Sequence, residues 1–170
     1  TGTQATYPLT MPPAQGTPIQ VQNVPPDGRQ FGVLRDYIGR RLDTLAPTFA
    51  NATAVVTLTN ALPSDPLYRF AREANIRIVD IEAGIPWSLD APGVALAETP
   101  ASNVAWGRDT DAAETAVAPY FWLSVSNAIR MADIIAHDLE ALFPVSAETI
   151  AANLQTLKQA MLDLRGDYQN

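Results

Sequence analysis

The stretch from Pro119 to Leu139, PYFWLSVSNAIRMADIIAHDL, holds the residue types most suited to chemistry, Tyr120 and the single histidine, His137. If this stretch is helical, His137 shares a polar face with Asp133 and Glu140, at i−4 and i+3. A surface histidine in ion pairs with these acids is therefore expected. A zinc site normally needs three or four nitrogen or sulfur ligands, which one histidine and no cysteine cannot supply.

Other residues that could carry chemistry form weaker patterns. Asp109, Asp111 and Glu114 alternate as calcium ligands do, but the glycine and the distal glutamate of an EF-hand are missing, so solvated loop acids are expected. The glycosylation pattern at residues 51–53 abuts a predicted buried strand, and the dinucleotide fingerprint G-x-G-x-x-G is absent. We predict no enzymatic activity and no cofactor.

Composition and charge narrow the function classes further. A chain of 170 residues, 47% apolar and 17% charged, is typical of one globular domain. The net charge of −7 argues against nucleic-acid binding, and no apolar run approaches the roughly 20 residues of a membrane-spanning helix. The chain begins at Thr1 rather than Met and shows no signal segment, so it is expected to be processed, a fragment or incompletely determined.

Hydrophobic periodicity predicts the elements that position these residues. Residues 1–28 hold six of the fourteen prolines and are expected to form an extended arm. Strands are predicted near residues 19–24, 53–59 and 76–81, and helices near 31–45, 65–75, 126–142 and 147–165. Pro47 is expected to end the first of these helices near Leu45, and Ser64 or Asp65 to cap the second.

The order of these elements predicts the fold class. A strand, a helix and a strand within 30 residues form a βαβ unit, which implies a parallel sheet. We therefore predict an α/β fold, a three-layer lobe with a small, mostly parallel sheet followed by a long C-terminal helix. The predicted division is an arm at 1–28, a lobe at 29–146 and the helix at 147–170.

The C-terminal helix carries a narrow apolar seam. Its members follow steps of 4, 3, 4 and 3 residues: Ile150, Leu154, Leu157, Met161 and Leu164. The half from Leu157 to Leu164 is expected to be covered by residues 1–18 or by another protein, because large exposed apolar patches usually mark partners. Leu157, Met161 and Leu164 are the predicted interaction residues.

Five stretches of the chain match the pattern of one known family. They are VPPDG at 24–28, ANATAVVTLTNALPSD at 50–65, IRIVDIEAGIP at 76–86, PYFWLSVSNAIRMADIIAHDL at 119–139 and ETIAANLQTLKQAMLDL at 148–164. With these stretches the chain resembles the N-terminal lobe of the periplasmic solute-binding proteins of zinc and manganese ABC importers. The resemblance covers most of residues 20–165, and the segment Trp122-Leu123 with Asn127-Ala128 is its most specific part.

The resemblance also implies where the metal ligands should stand, and this chain departs from that pattern. A histidine ligand follows the Pro-Pro-Gly turn in the family, whereas Gly28 is followed here by Arg29, Gln30 and Phe31. A second ligand stands where this chain has Tyr120, whose phenol is protonated at neutral pH and is a poor zinc ligand, although tyrosinate is a known iron ligand. Other ligands come from a C-terminal lobe that would follow Asn170. The resemblance implies a degenerate metal site with Tyr120 in a ligand position.

Two functions from different classes follow as expectations. The first is a lobe of a metal-type solute-binding protein that is periplasmic or extracytoplasmic and works with an ABC permease. The alternative is a non-catalytic scaffold subunit in an envelope or membrane protein complex, with a protein partner. For Tyr120, Phe121 and Trp122, a purely structural role also stays open, in which the aromatic rings fill the space between the helix and the sheet.

Overall fold

The computed structural model describes residues 1–3, 5–25, 34–63, 65–88, 91–95 and 123–167. Two parallel strands and six α-helices are found in this part of the chain. In chain order they are α1 (Tyr7–Ala14), α2 (Leu34–Gly39), α3 (Leu42–Asn51), β1 (Ala54–Thr57), α4 (Leu67–Ala74), β2 (Val79–Glu82), α5 (Val125–Leu142) and α6 (Ala147–Asp167), with a 3-10 turn at Pro144–Ser146 between the last two. The predicted α/β class with a small parallel sheet and a long C-terminal helix is confirmed.

The sheet forms where β-branched residues are dense. β1 has the sequence AVVT, and β-branched side chains fit the pleated surface of a buried strand. β1 and β2 pair in parallel, with Val55 opposite Asp80 and Val56 opposite Ile81. The crossover between them contains α4, as the βαβ pattern predicts.

Helices cover both faces of this sheet, so the fold has three layers. Alternate residues of a strand point to opposite faces. Val56 and Ile81 belong to the apolar cluster formed with α1, α5 and α6. Val55 belongs to a second cluster, formed with α2, α3 and α4. Burial of apolar surface in both clusters is the main force that holds the sheet between the helices.

The expectation of an extended arm is wrong for residues 7–14, which form α1 despite three prolines. Pro8 lies in the first turn, where its missing N–H breaks no helical hydrogen bond. Upstream, the hydroxyl of Thr3 accepts a hydrogen bond from the N–H of Thr6 at 3.0 Å, which organises the start of the helix. Leu9, Pro13 and Ala14 are buried, so tertiary packing overrides the low helix propensity of proline.

The strand predicted near residues 19–24 is also wrong. These residues form neither helix nor strand, although Ile19 packs against the cluster that includes Val56. A strand requires a ladder of backbone hydrogen bonds, and the described part of the chain gives this segment no such ladder with β1.

The predicted helix at residues 31–45 is two helices where the structure describes it. α2 ends at Gly39, and α3 begins at Leu42 and continues through Pro47 to Asn51. Pro47 therefore does not end the helix near Leu45. Phe49 is almost fully buried in the last turn of α3, and its burial offsets the hydrogen bond that proline cannot make.

The two C-terminal helices match their predicted ranges closely and pack on each other. Ile150 and Leu154 are buried, whereas Leu157 and Met161 are partly buried against the same cluster. Leu164 is 57% exposed. No helix in the described ranges is both long and apolar enough to cross a membrane.

α1 packs on α6 and covers part of it. The side-chain amide of Asn153 in α6 donates hydrogen bonds to the carbonyl oxygens of Pro13 at 3.1 Å and Gln15 at 2.6 Å. The interaction role of Leu157, Met161 and Leu164 stays a prediction.

Candidate functional site

The residues that the sequence placed at the degenerate metal site lie outside the described residues. This holds for Tyr120 and for residues 29–31 after the double proline, and also for the loop acids Asp109, Asp111 and Glu114. The assignment of Tyr120 to a ligand position therefore stays a prediction. In the ranges that the structure describes, no three His, Asp or Glu side chains are grouped to hold a metal ion.

His137 lies on the exposed side of α5, as expected, but its neighbour differs from the prediction. Its side chain is 63% exposed, and Nδ1 lies 3.8 Å from Oδ1 of Asp138. Asp133, a predicted partner, instead accepts a hydrogen bond from Nζ of Lys158 in α6 at 2.7 Å. The Asp133–Lys158 ion pair joins the two long helices.

His137 also lines a groove of about 280 Å³ between α5, α6 and the segment that follows β2. Ile134 and Leu154, both buried, give this groove apolar walls. Arg130, Asp133 and Glu140 add charges of both signs to its lining. The groove therefore has apolar walls and a charged rim.

The carboxyl ends of the two strands carry a group of acidic side chains, of which the sequence patterns singled out only Asp65, as a helix cap. Asp65 is buried and links β1 to α4, because Oδ2 accepts the N–H of Leu58 and Oδ1 accepts that of Leu67, both at 3.0 Å. The N-cap residue of α4 is Pro66 and not Asp65, although Asp65 accepts the N–H of Leu67, the first residue of the helix, as a capping side chain would. Burial raises the pKa of Asp65, and its two backbone hydrogen bonds offset part of this rise.

Asp80 points to the same face of the sheet as Val55, its partner in register. Its Oδ1 accepts a hydrogen bond from the hydroxyl of Thr57 at 2.8 Å. Burial raises the pKa of Asp80; the Thr57 hydrogen bond lowers it, and the charge of Asp65 raises it further. The main chain of Asp80 also accepts a bond from the Trp87 indole N–H at 3.0 Å.

Glu82 follows two residues later, at the end of β2. Its Oε2 accepts the N–H of Gly84 at 3.1 Å, whereas Oε1 is buried and accepts no well-formed hydrogen bond from the described residues. Burial raises the pKa of Glu82 to about 7, although the N–H groups of Gly84 and Asn60 lower it in part. This carboxyl group therefore titrates near neutral pH.

Asp138 is a fourth acid, on α5, and its side chain is fully buried. Neither carboxylate oxygen accepts a well-formed hydrogen bond from the residues that the structure describes. Burial raises its pKa, and the nearby backbone N–H of Trp87 and the His137 side chain lower it. Trp87 is thus close to both Asp138 and Asp80, which connects α5 with the end of β2.

The segment after β2 folds back over the end of that strand. The N–H of Val94 donates to the Gly84 carbonyl oxygen at 2.9 Å. Gly93 must be glycine for this approach, since a Cβ there would lie 2.9 Å from the same oxygen. Asn127 in α5 donates its amide to the Ala95 carbonyl oxygen at 3.2 Å. These contacts hold the segment against the carboxyl ends of the strands.

Polar side chains and loops thus gather at the carboxyl ends of parallel strands. In α/β proteins with open parallel sheets, this edge is where ligands bind. A sequence signal for it exists, because Asp80 and Glu82 stand two residues apart at the end of a predicted strand and must therefore share one face.

This architecture defines the class as a small α/β lobe of the ligand-binding type. The family model described as "Zinc-uptake complex component A periplasmic" matches residues 46–170, and the chain belongs to this family. It is therefore related to the metal-type solute-binding proteins of ABC importers, in agreement with the resemblance found in the sequence. Comparisons with the curated proteins and with the solved structures give no match.

Proposed function

We propose that this chain acts as a lobe of a metal-type solute-binding protein whose metal site has lost its histidine ligands. The family match over residues 46–170 carries the proposal. The loss of ligands is inferred from Tyr120, which stands where the family has a ligand, and from residues 29–31, which contain no histidine. The chain would be non-enzymatic, extracytoplasmic and paired with an ABC permease.

The composition supports a weakened metal site. His137 is the only imidazole in the chain, and its ring lies on the exposed side of α5 next to Asp138. A structural zinc site contributes roughly 10–16 kcal/mol of apparent binding energy, most of which depends on nitrogen or sulfur ligands that this chain does not have.

Isothermal titration calorimetry with zinc tests the degenerate site. We expect the chain to bind zinc with a Kd above about 1 µM, which corresponds to less than roughly 8 kcal/mol of binding free energy. The variant Tyr120→His, which restores a ligand type, should bind zinc more tightly than the parent. His137→Ala serves as the matched control and should leave that gain unchanged. A parent Kd below 1 µM would overturn the proposed loss of the site.

A second candidate, the scaffold subunit, is favoured by one observation. Leu164, near the carboxyl end of α6, belongs to the predicted interaction seam and is 57% exposed. The variant Leu164→Asp should abolish any self-association or partner binding and leave the melting temperature within about 2 °C, because exposed residues contribute little to stability. Ile76→Asp, at another exposed site, is the control. Unchanged association, measured by light scattering and partner capture, would refute the scaffold role of this surface.

A further inference from the structure

The basic side chains of the protein are concentrated between the start of α2 and the start of β2. Residues 34–78 hold six of the eleven basic residues and four of the eighteen acidic ones, so five basic and fourteen acidic residues lie elsewhere in the chain. The six basic residues are all exposed arginines: Arg35, Arg40, Arg41, Arg69, Arg72 and Arg77. A chain with a net charge of −7 thus contains a region whose formal charge is positive.

These arginines lie on the outer side of the helical layer that α2, α3 and α4 form over one face of the sheet. In α4, Leu67 and Ala71 are buried in the cluster that includes Val55, whereas Arg69 and Arg72 are exposed. α4 is therefore an amphipathic helix with a cationic outer side. We call the outer side of this layer, with its six arginines, the arginine surface.

The end of α2 brings two more arginines next to α4. Gly39 is the last residue of α2, and a Cβ at this glycine would lie 3.9 Å from the ring of Phe70 in α4. Arg40 and Arg41 follow directly in the chain. The arginines that follow α2 and those of α4 therefore belong to one surface.

Few carboxylates neutralise the arginine surface. Its exposed acids are Asp36, Asp43 and Glu73. Glu73 lies 3.9 Å from Arg69 in an i,i+4 pair whose side chains are both largely exposed, and such pairs are weak. Among the described residues, no carboxylate forms an ion pair with Arg35, Arg40 or Arg77. The charges of these three side chains are available to a ligand.

Two other guanidinium groups lie beside tyrosine rings. The guanidinium carbon of Arg41 is 4.3 Å from the centroid of the Tyr37 ring, and Nη1 of Arg72 donates a hydrogen bond to the Tyr68 hydroxyl at 2.6 Å. Ile76, just after α4, is 73% exposed and adds an apolar side chain to the same surface. Side chains that combine an apolar body with a polar tip are suited to the headgroup region of a bilayer.

The acids of α5 and α6 lie on the other side of the sheet. A helix layer is about 10–12 Å thick, whereas the Debye length is about 8 Å at physiological ionic strength. A flat anionic surface in contact with the arginine surface is therefore largely screened from these acids, and it is attracted by the arginines although the chain as a whole is acidic.

We propose that the arginine surface docks on an anionic lipid bilayer, with its guanidinium groups on the headgroup phosphates and Ile76 at the headgroup boundary. The phosphates of a bilayer form a continuous charged plane, which matches cations spread over three helices. An acidic protein would instead have to place a carboxylate opposite each guanidinium group. This inference goes beyond the proposed function and does not depend on it.

Co-sedimentation of the whole chain with lipid vesicles tests this docking. Vesicles of phosphatidylglycerol and phosphatidylcholine in equal parts should bind the chain at about 0.05 M salt, and binding should weaken strongly at about 0.3 M salt, where the Debye length is shorter. Vesicles of phosphatidylcholine alone, which carry no net charge, should bind the chain about tenfold less or weaker still.

Variants of two unpaired arginines locate the contact. Arg35→Gln with Arg77→Gln should weaken binding about tenfold or more, because each arginine near an anionic bilayer contributes roughly a fivefold factor. Arg35→Lys with Arg77→Lys should bind as the parent does, since a lipid surface requires the charge and not the planar guanidinium. The matched control, Arg130→Gln with Arg165→Gln, removes two charges from α5 and α6 and should change the affinity by less than about threefold.

Three results would overturn the proposal: absence of binding to the anionic vesicles, equal binding to both kinds of vesicle, and equal losses in the two double glutamine variants. A chain that ignores anionic vesicles but binds immobilised polyglutamate, and loses this binding in Arg35→Gln with Arg77→Gln, would assign the arginine surface to an acidic protein and refute docking on lipid.

Discussion

The two faces of the sheet are built from adjacent residues of the same strands and differ sharply toward the carboxyl ends. On the face toward α1, α5 and α6, Ile81 is followed by Ala83, and both are fully buried in an apolar cluster. On the face toward α2, α3 and α4, Asp80 is followed by Glu82, and both carry a raised pKa.

One face of this two-stranded sheet therefore stabilises the fold, whereas the other carries the ionisable groups, although the paired strands contain only eight residues. An apolar face stabilises the fold at every pH, because burial of hydrocarbon involves no ionisation. A face with desolvated carboxyl groups stabilises the fold only where these groups are neutral or well bonded. Among the strand residues themselves, Asp80 and Glu82 on the polar face are therefore the ones that can respond to protons.

Replacement of Ile81 by alanine should produce the largest effect. Ile81 is fully buried, and deletion of such side chains costs about 2–5 kcal/mol through lost burial and a residual cavity. Chemical denaturation should show a correspondingly lower free energy of unfolding at both pH 5 and pH 8. Ile76→Ala, at a side chain that is 73% exposed, should cost less than about 0.5 kcal/mol. Equal losses in the two variants would contradict the assignment of this face as the core.

The hydrophobic periodicity of the sequence correctly predicted the helices and strands whose structure is determined by their own residues. β1, β2, α4, α5 and α6 each have a clear period and clear ends, and the structure places them within a few residues of the predicted ranges. α1 was missed because the proline rule is local, whereas Leu9 and Ala14 are held by packing against distant helices. Residues 19–24 have the period of a strand, but a strand also needs a neighbour that local sequence does not reveal.

Asp138 was missed for a related reason. A charged residue on a helix is assigned to the solvent face by default, yet Asp138 stands seven residues after Met131 and three after Ile135. That spacing places it on the apolar stripe, and the structure buries all three residues. Tyr120, which was singled out through the family resemblance, lies outside the described residues, and its role stays a prediction.

Replacement of Glu82, the residue next to Ile81, by glutamine should have the smallest effect on the free energy of unfolding, and it should raise this free energy instead of lowering it. Glu82 has a folded-state pKa of about 7, above its ordinary value of 4.5. Between these two values the folded state binds more protons than the unfolded state, so stability falls as pH rises through this window. Below pH 4.5 the Glu82 carboxyl group is protonated in both the folded and the unfolded state, so its burial does not destabilise the fold. Above pH 7 it is ionised in both states, and the destabilisation reaches its full size. Glu82→Gln removes the titration, and the variant should be more stable than the parent at pH 8 by on the order of 1–2 kcal/mol, after allowance for solvent screening.

The decisive measurement is the free energy of unfolding of Glu82→Gln minus that of the parent, determined as a function of pH. Asp65, Asp80 and Asp138 also have raised pKa values, so each chain alone will lose stability over a broad range, and only the difference isolates Glu82. That difference should be near zero at pH 4 and should grow until about pH 7. Glu73→Gln, at an exposed glutamate on α4, provides the control and should change the free energy of unfolding at pH 8 by less than Glu82→Gln does. A Glu82→Gln variant that is less stable than the parent at pH 8 would mean that the ionised carboxylate, through its bond to the Gly84 N–H, stabilises the end of β2 instead of destabilising it.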